Sequence, residues 1–276
     1  MKDLRNNLPG RLQFAISVAL LAAAFSCGAH AQSADDALPD APPPQSATQA
    51  SPDDKDAVTL RHTPIDILKE QAAIWTSPAR VRDRDLAYLV PIGLATTLAI
   101  TADHQVMSSS TLNDPSLNSH ATTASNGLLG GFVAAPVIIY GLGHIHHDDH
   151  ATETGILAGE AMIDSLVVGE VLKAVTMRER PTVDSAKGKF FQSSAGFNSS
   201  FPSSHSIVAW SSAAVIASEY TGPLTQLTAY GLATGVSLTR VLGRQHFPSD
   251  VIVGSAVGWL VGRYVFRKHS KYRMHW

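Results

Sequence analysis

The chain has 276 residues, of which 45% are hydrophobic, and a formal net charge of −2 from 21 Lys and Arg against 23 Asp and Glu. This length allows one large domain or two small ones. The near-neutral charge excludes the strongly basic surface typical of nucleic-acid-binding proteins, so we expect no nucleic-acid partner.

Residues 1–31 have the pattern of a secretory signal peptide. Basic residues precede an uncharged apolar run, and the sequence AHAQ at 29–32 contains an A-x-A cleavage pattern. We expect cleavage after Ala31 and export across the inner membrane to the periplasm or cell envelope. The alternatives are a retained anchor, for which the run is short, and lipoprotein cleavage before Cys27, the only cysteine.

Residues 32–57 predict a flexible linker. Ala, Pro, Ser and Asp dominate, and six Asp stand against one Lys. Large apolar side chains that could offset the entropy of ordering are nearly missing. We therefore expect one folded domain over residues 58–276.

From Val58 onward, the spacing of the apolar residues and the residues typical of helix ends predict helices. In TPIDILKEQAAIW, Thr63 is expected as the N-cap and Pro64 as the first helical residue. Six further apolar segments follow, at Leu86–Thr101, Leu128–Leu142, Thr154–Val175, Ser206–Tyr220, Leu224–Leu242 and Val251–Phe266. Alternating strand patterns bounded by tight turns are missing, so the chain predicts an all-α helical bundle.

The apolar segments raise the question of membrane insertion. Each is near or below the length that spans a bilayer, and several contain charges or many small residues. The mean hydropathy of +0.05 is low for a polytopic membrane protein. The spacing of Gly254, Gly258 and Gly262 allows close helix packing in either setting. We expect a soluble or peripherally membrane-attached domain, with a membrane-embedded one as the alternative.

Three short stretches contain the residue types that phosphoryl transfer needs without a metal. They are KAVTMRERP with Lys173 and Arg180, FPSSHS with Ser203, Ser204 and His205, and TRVLGRQHFPSD with Arg240, His246 and Asp250. Cations and a hydroxyl can hold phosphoryl oxygens, one imidazole can attack phosphorus, and another can protonate the leaving oxygen. Taken singly, each stretch could be a helix cap or a helix-terminal charge. Their combination favours phosphoryl transfer.

These stretches resemble the three signature motifs of the type 2 phosphatidic-acid phosphatase and vanadium haloperoxidase superfamily. The motifs read K-x6-R-P, P-S-G-H and S-R-x5-H-x3-D, and the resemblance covers roughly residues 160–266. Two positions depart from the pattern. Thr239 replaces a Ser and keeps its hydroxyl, whereas Ser204 replaces a Gly and adds a Cβ that could narrow the pocket.

The resemblance implies a helical bundle and a role for each motif residue. His246 would attack phosphorus and become a phosphohistidine, Asp250 would orient it, and His205 would protonate the leaving group and then activate water. The phosphoryl oxygens would be bound by Lys173, Arg180, Ser203, the N–H of Ser204, and Arg240. No metal or other cofactor is implied.

The leading hypothesis is a metal-independent phosphatase for phosphate monoesters or pyrophosphates, with lipid phosphates of the phosphatidic-acid type preferred. The basic and aromatic segment Arg267–Trp276 would allow peripheral contact with anionic headgroups. The alternatives are a periplasmic acid phosphatase for soluble substrates, a vanadate-dependent haloperoxidase, for which the chain is short, and a non-catalytic binding module.

Two other polar clusters are interpreted structurally. GHIHHDDHATE at 143–153 holds four His and three acids, and we expect a loop in which Asp148 or Asp149 caps the next helix. A metal site at His144–His150 is the alternative. Glu160 and Asp164 form an i, i+4 pair, expected to be a polar stripe or hydrogen-bonded within the bundle.

Overall fold

The computed structural model describes residues 58, 60, 62–195 and 198–272. The predicted signal peptide with Cys27, the whole predicted linker, and the last four residues lie outside the described residues. The predicted division into signal, linker and domain therefore stays a prediction.

Seven α-helices lie in the described part of the chain. They are α1 (Thr63–Thr76), α2 (Leu86–Met107), α3 (Pro115–His146), α4 (Asp149–Thr176), α5 (Ser204–Glu219), α6 (Pro223–Leu242) and α7 (Pro248–His269). No strand occurs among these residues, so the predicted all-α fold is confirmed. The N-cap expected at Thr63 is wrong by one position, because Thr63 is already helical and His62 precedes it without a side-chain cap.

Helix α5 is the centre of the bundle. Every residue from 206 to 219 is buried except Trp210, and the helix packs against α3, α4, α6 and α7. Its Ala and Ser residues are small enough to let these neighbours approach closely. The largest core cluster includes Leu157 of α4, Val215 of α5 and Val265 of α7, so the core surrounds the helix that carries the second motif.

The contact between α5 and α7 depends on three glycines spaced four residues apart. A Cβ added to Gly254, Gly258 or Gly262 would lie only 2.7, 2.3 or 2.5 Å from the carbonyl oxygen of Ser203, Ile207 or Ser211. The spacing places all three on one face of α7. The predicted close approach is thus made to the backbone of α5 itself.

Helices α2 and α3 are longer than their apolar segments predict. The stretches Asp83–Met107 and Pro115–His146, of 25 and 32 residues, are long and apolar enough to cross a membrane. The expectation that every segment is near or below spanning length is wrong for these two, because both helices continue into flanking polar residues. Leu98 of α2 and Val137 of α3 are each 69% exposed, so both helices present apolar side chains that the described chain does not cover.

Replacing Gly258 by Ala should lower the free energy of unfolding by about 1–3 kcal/mol, because the new methyl group collides with the α5 backbone. Chemical denaturation checks this value. Gly231→Ala in α6 is the matched control: nothing lies within 4 Å of the added Cβ, and Ala favours the helix by up to about 1 kcal/mol. Equal stability of the two variants would contradict the packing described above.

Candidate active site

The first two motifs meet the third at the N-terminal end of α5. Lys173 lies in the last turn of α4, and its Nζ donates a short hydrogen bond to the Oγ of Ser204, the first residue of α5. The N–H of Ser203 donates to the backbone oxygen of Asp250 in the first turn of α7, with an N···O distance of 3.1 Å. Helices α4, α5 and α7 therefore converge at this point.

The two arginines and the third-motif histidine join the same site. Arg240 lies in the last turn of α6, and its carbonyl oxygen accepts the N–H groups of Gln245 and His246 at 3.1 and 3.3 Å. Arg180, from the loop before α5, donates its Nη1 to the carbonyl oxygen of Gln245 at 2.9 Å. The structure thus brings the predicted residues of all three motifs together.

His246 is buried and held in one orientation. Its Nδ1 lies 2.7 Å from the carbonyl oxygen of Ser200, which can only accept, so Nδ1 carries the proton and Nε2 keeps its lone pair. Burial lowers the pKa of His246 despite the nearby carboxylate of Asp250. The ring is therefore a neutral imidazole with one nitrogen available for attack.

The orienting role expected for Asp250 is modified by this geometry. Its Oδ2 lies 3.6 Å from the Nδ1 of His246, beyond a normal hydrogen bond, whereas the carbonyl of Ser200 is the direct acceptor. Oδ2 accepts the N–H of Phe247 at 2.8 Å instead. Asp250 thus acts on His246 through charge and by fixing the backbone next to it.

A buried arginine that the motif analysis did not single out holds Asp250. Arg178 is only 2% exposed, and its Nη1 donates to the Oδ1 of Asp250 at 2.6 Å. Its Nη2 donates to the Oδ2 of Asp103 in α2 at 2.7 Å. The guanidinium also lies over the rings of Phe190 and Phe247, 4.6 and 4.2 Å from their centroids. The only sequence signal was a third cation between the two motif positions of KAVTMRERP.

Positive charge at the site is not fully balanced by the neighbouring side chains. Arg240 is buried, and its Nε has no hydrogen-bond partner among the described residues. Burial, and secondarily the charge of Arg180, lower the pKa of Arg240 to about 10. Burial also lowers the pKa of Arg180. Cations desolvated in this way are suited to an anionic ligand, which would supply the missing hydrogen-bond acceptor.

The positive charge of these arginines also acts on His205. Burial first, and then the charges around it, chiefly that of Arg240, lower the pKa of His205 to about 3. Its Nε2 lies 3.1 Å from the Oδ1 of Asn126 in α3, a partner that the sequence did not indicate. Since an amide oxygen accepts, Nε2 is the protonated nitrogen and Nδ1 is the one that gains or loses a proton.

The Ser204 side chain, where the resemblance predicts Gly, is part of a local polar network. Its Oγ accepts from the Nζ of Lys173 and donates to the Oε1 of Glu170 at 2.9 Å. The Nζ of Lys173 also contacts that carboxylate oxygen, at 3.0 Å. The added hydroxyl therefore holds the lysine at the start of α5.

Two other hydroxyls in the motifs serve their own helices. Ser203 is the N-cap of α5, and its buried Oγ accepts from the N–H of Ser206 at 3.5 Å and from its hydroxyl at 3.2 Å. Thr239 donates its hydroxyl to the carbonyl of Gly235, one turn earlier in α6, at 2.7 Å. The predicted binding of phosphate by Ser203 stays a prediction, since this oxygen is engaged in the cap.

The histidine-rich stretch contains the predicted cap. The Oδ1 of Asp148 accepts the N–H of Ala151 at 3.0 Å and caps α4, which confirms that part of the interpretation. His150 points the other way, and its Nε2 lies 3.1 Å from the Oε2 of buried Glu219. The connection between α3 and α4 consists only of His147, in the left-handed conformation, and Asp148. The expected loop is therefore wrong for the rest of the stretch, because α3 continues to His146 and α4 begins at Asp149.

The fold and the arrangement of these residues define a class: an α-helical protein with two imidazoles and several desolvated cations gathered where an oxyanion can bind. The model of the PAP2 superfamily matches residues 154–274, a range that includes all three motifs. No curated protein and no solved structure matches the chain. Members of this superfamily are phosphatases or haloperoxidases, and the predicted resemblance to it is confirmed over the matched residues.

Binding of a tetrahedral dianion should make His205 take up a proton. Burial and then the surrounding cations lower the pKa of His205 to about 3 in the free protein. The ligand's negative charge offsets those cations, so this pKa rises in the complex. At about pH 5, the free protein has a neutral His205 and the complex a protonated one, which predicts uptake of up to about one proton per chain. Sulfate is a suitable probe because it does not titrate near this pH.

Calorimetric titrations with sulfate in two buffers of different ionisation enthalpy measure this uptake. His205→Gln should greatly reduce it, and His246→Gln is the control for the other imidazole. Uptake that persists in His205→Gln but is lost in His246→Gln would contradict the assignment.

Proposed function

We propose that the chain is a metal-independent phosphatase that hydrolyses phosphate monoesters or pyrophosphates through a phosphohistidine on His246. The observation that carries this proposal is the geometry of His246, a buried neutral imidazole whose Nδ1–H is held by a carbonyl oxygen. Its Nε2 lone pair lies in a site where unbalanced cations favour a phosphoryl group. This combination suits nucleophilic attack on phosphorus.

In the first step, Nε2 of His246 forms a bond to phosphorus and the bond to the leaving oxygen breaks. His205, protonated once the phosphate dianion is bound, donates its proton to that oxygen and the alcohol departs. Lys173, Arg180 and Arg240 balance the charge on the equatorial oxygens. Ser204 contributes its N–H at the start of α5, where the helix terminus favours an anion.

In the second step, the now neutral His205 takes a proton from water, and the water oxygen attacks phosphorus. The bond between phosphorus and Nε2 breaks, which regenerates His246 and releases inorganic phosphate. Asp250 stabilises the imidazolium character of His246 through its nearby charge. These two steps need no oxidant, reductant or metal ion.

A lipid phosphate is the substrate class that we favour. An apolar groove of about 490 Å³ runs along α3, lined by Asn126, Leu129, Gly130, Val133, Ala134, Val137 and Ile138. It begins at Asn126, which contacts His205. A phosphate at the cations would therefore place an acyl chain along this groove.

The surroundings of the groove favour action at a membrane. Helices α2 and α3 are both long and apolar enough to cross a bilayer, and they leave large apolar side chains exposed. Together with the predicted signal peptide, this supports a membrane-associated enzyme of the periplasm or cell envelope. A soluble phosphoester would use the same cations without the groove.

His246→Ala should abolish phosphate release from p-nitrophenyl phosphate and phosphatidic acid, by about 10³-fold or more, because the nucleophile is lost. The phosphoenzyme itself is the sharper readout. Brief incubation with ³²P-labelled substrate and rapid quenching should label the wild type with acid-labile phosphate, and His246→Ala should remain unlabelled. His205→Asn is the companion variant and should form or hydrolyse the phosphoenzyme slowly.

Phosphate release that survives His246→Ala would overturn the nucleophile assignment. Vanadate-dependent oxidation of halide by peroxide, without any phosphate release, would instead favour a haloperoxidase.

Val137→Asp should reduce the preference for long acyl chains at least about 10-fold, measured as the ratio of kcat/KM for phosphatidic acid to that for p-nitrophenyl phosphate. The charge removes the apolar contact of a few methylenes, each contributing about 0.8 kcal/mol. Leu227→Asp in α6 is the matched control, since Leu227 is 73% exposed, close to the 69% of Val137, but lies outside the groove. Equal loss in both variants would indicate general membrane contact instead of the groove.

A further inference from the structure

Helix α1 docks on the bundle through a buried carboxylate. Glu70 is the only buried residue of α1, while apolar Ile65 and Leu68 of the same helix are 54% and 72% exposed. A helix that leaves apolar side chains in the open and inserts a glutamate reverses the usual pattern of amphipathic packing. Apolar packing contributes through Ile74, which contacts the largest core cluster, and the polar contacts of Glu70 add to it.

The Glu70 carboxylate meets ionisable side chains of two other helices. Three potential metal-ligating atoms lie within 4.8 Å of one another: a carboxylate oxygen of Glu70, one of Glu160 in α4, and a ring nitrogen of His269 in α7. The Nε2 of His269 is 2.5 Å from the Oε1 of Glu70. Asp164 lies one turn after Glu160 and accepts from Gln71 of α1 at 2.8 Å. Three helices therefore contribute to one polar cluster inside the protein.

Oxygen atoms in this cluster lack partners. The Oε2 of Glu70, the Oε1 of Glu160 and the Oδ2 of Asp164 are buried without a hydrogen bond among the described residues. These three side chains belong to residues that are at most 3% exposed. Buried carboxylate oxygens are costly when unpaired, so each has an unused position for a ligand.

The cluster contains more acidic than basic side chains. Three carboxylates face Lys268, whose Nζ is 3.4 Å from the Oε1 of Glu70, and His269. When ionised, the carboxylates outnumber these cations, and a bound metal ion would offset the excess negative charge.

We infer that Glu70, Glu160 and His269 bind one divalent transition-metal ion, with Asp164 beside it, and that the ion fastens α1 to α4 and α7. One imidazole with carboxylate oxygens suits Zn²⁺ or Mn²⁺, whereas Mg²⁺ and Ca²⁺ prefer oxygen donors alone. Donor atoms about 2.1 Å from one ion lie at most about 4.2 Å apart. Small side-chain rotations bring the three atoms into that range.

This site is separate from the phosphatase proposal. Glu160 precedes Lys173 by thirteen residues in α4, a distance of about 20 Å along the helix axis. The ion would therefore stabilise the fold without touching the phosphoryl group. The metal site is tested by metal content and protein stability, so the result does not depend on whether the protein releases phosphate.

The full chain, stripped with a chelator and then titrated with Zn²⁺ or Mn²⁺, should retain one ion per chain after desalting, measured by elemental analysis. Its Tm should rise by about 5–10 °C at an ion concentration about 100-fold above Kd. Mg²⁺ at the same concentration should produce a much smaller shift.

Glu160→Gln should lose both the retained ion and the Tm shift. The metal-free variant should be at least as stable as the metal-free wild type, because a neutral amide of nearly the same size replaces a carboxyl group that cannot be buried as a charge without cost. The double variant His144→Gln/His146→Gln, in the exposed histidine stretch, is the control for adventitious binding and should keep both effects.

Absence of a retained ion and of a Tm shift in the wild type would overturn the inference and leave a cluster that holds protons. Binding that survives Glu160→Gln, or that disappears in the histidine double variant, would overturn it as well. Should Glu160→Gln fail to fold, His269→Gln at the end of α7 is judged by the same two measurements.

Discussion

The guanidinium of Arg178, buried between the carboxylates of Asp103 and Asp250, determines how the rest of the site is arranged. Desolvated charges of this kind persist only when every partner is in place, and removing one partner of such a pair costs about 3–5 kcal/mol. The ion pairs therefore tie α2, the loop after α4 and the first turn of α7 into one unit. Through the contact of Asp250 with the N–H of Phe247, that unit also positions the neighbouring His246.

The cations of the site have opposite effects on the free and the liganded protein. Before a ligand binds, burial and then the charges of Arg240 and its neighbours lower the pKa of His205 and keep this histidine neutral. In the proposed mechanism, a bound phosphate dianion offsets the same charges, so His205 gains the proton for the leaving group only when the substrate is present. Proton supply and phosphate binding would then both follow from the charge of these cations.

Local patterns in the sequence predicted the all-α class, the three motifs and a cap at Asp148 or Asp149, since each depends on neighbours within a few residues. They did not predict the full lengths of α2 and α3, whose ends continue into polar residues. The partners of the motif residues were not predictable in this way. Asn126 and Asp103 come from helices that contain no motif, and the Ser200 carbonyl belongs to the backbone, which every residue type shares. Glu70 and Glu160 are ninety residues apart, so only the packing of α1 on α4 reveals that they meet.

The glycine face of α7 has a mechanical consequence for catalysis. Because Gly254, Gly258 and Gly262 have no side chains, the backbone of α7 lies directly against the carbonyl oxygens of Ser203, Ile207 and Ser211. A hydrogen bond from the N–H of Ser203 to the carbonyl oxygen of Asp250 joins the starts of the same two helices. His205 and His246 lie next to these starts, so backbone contacts set their spacing before any ligand arrives, and little binding energy is consumed in assembling them.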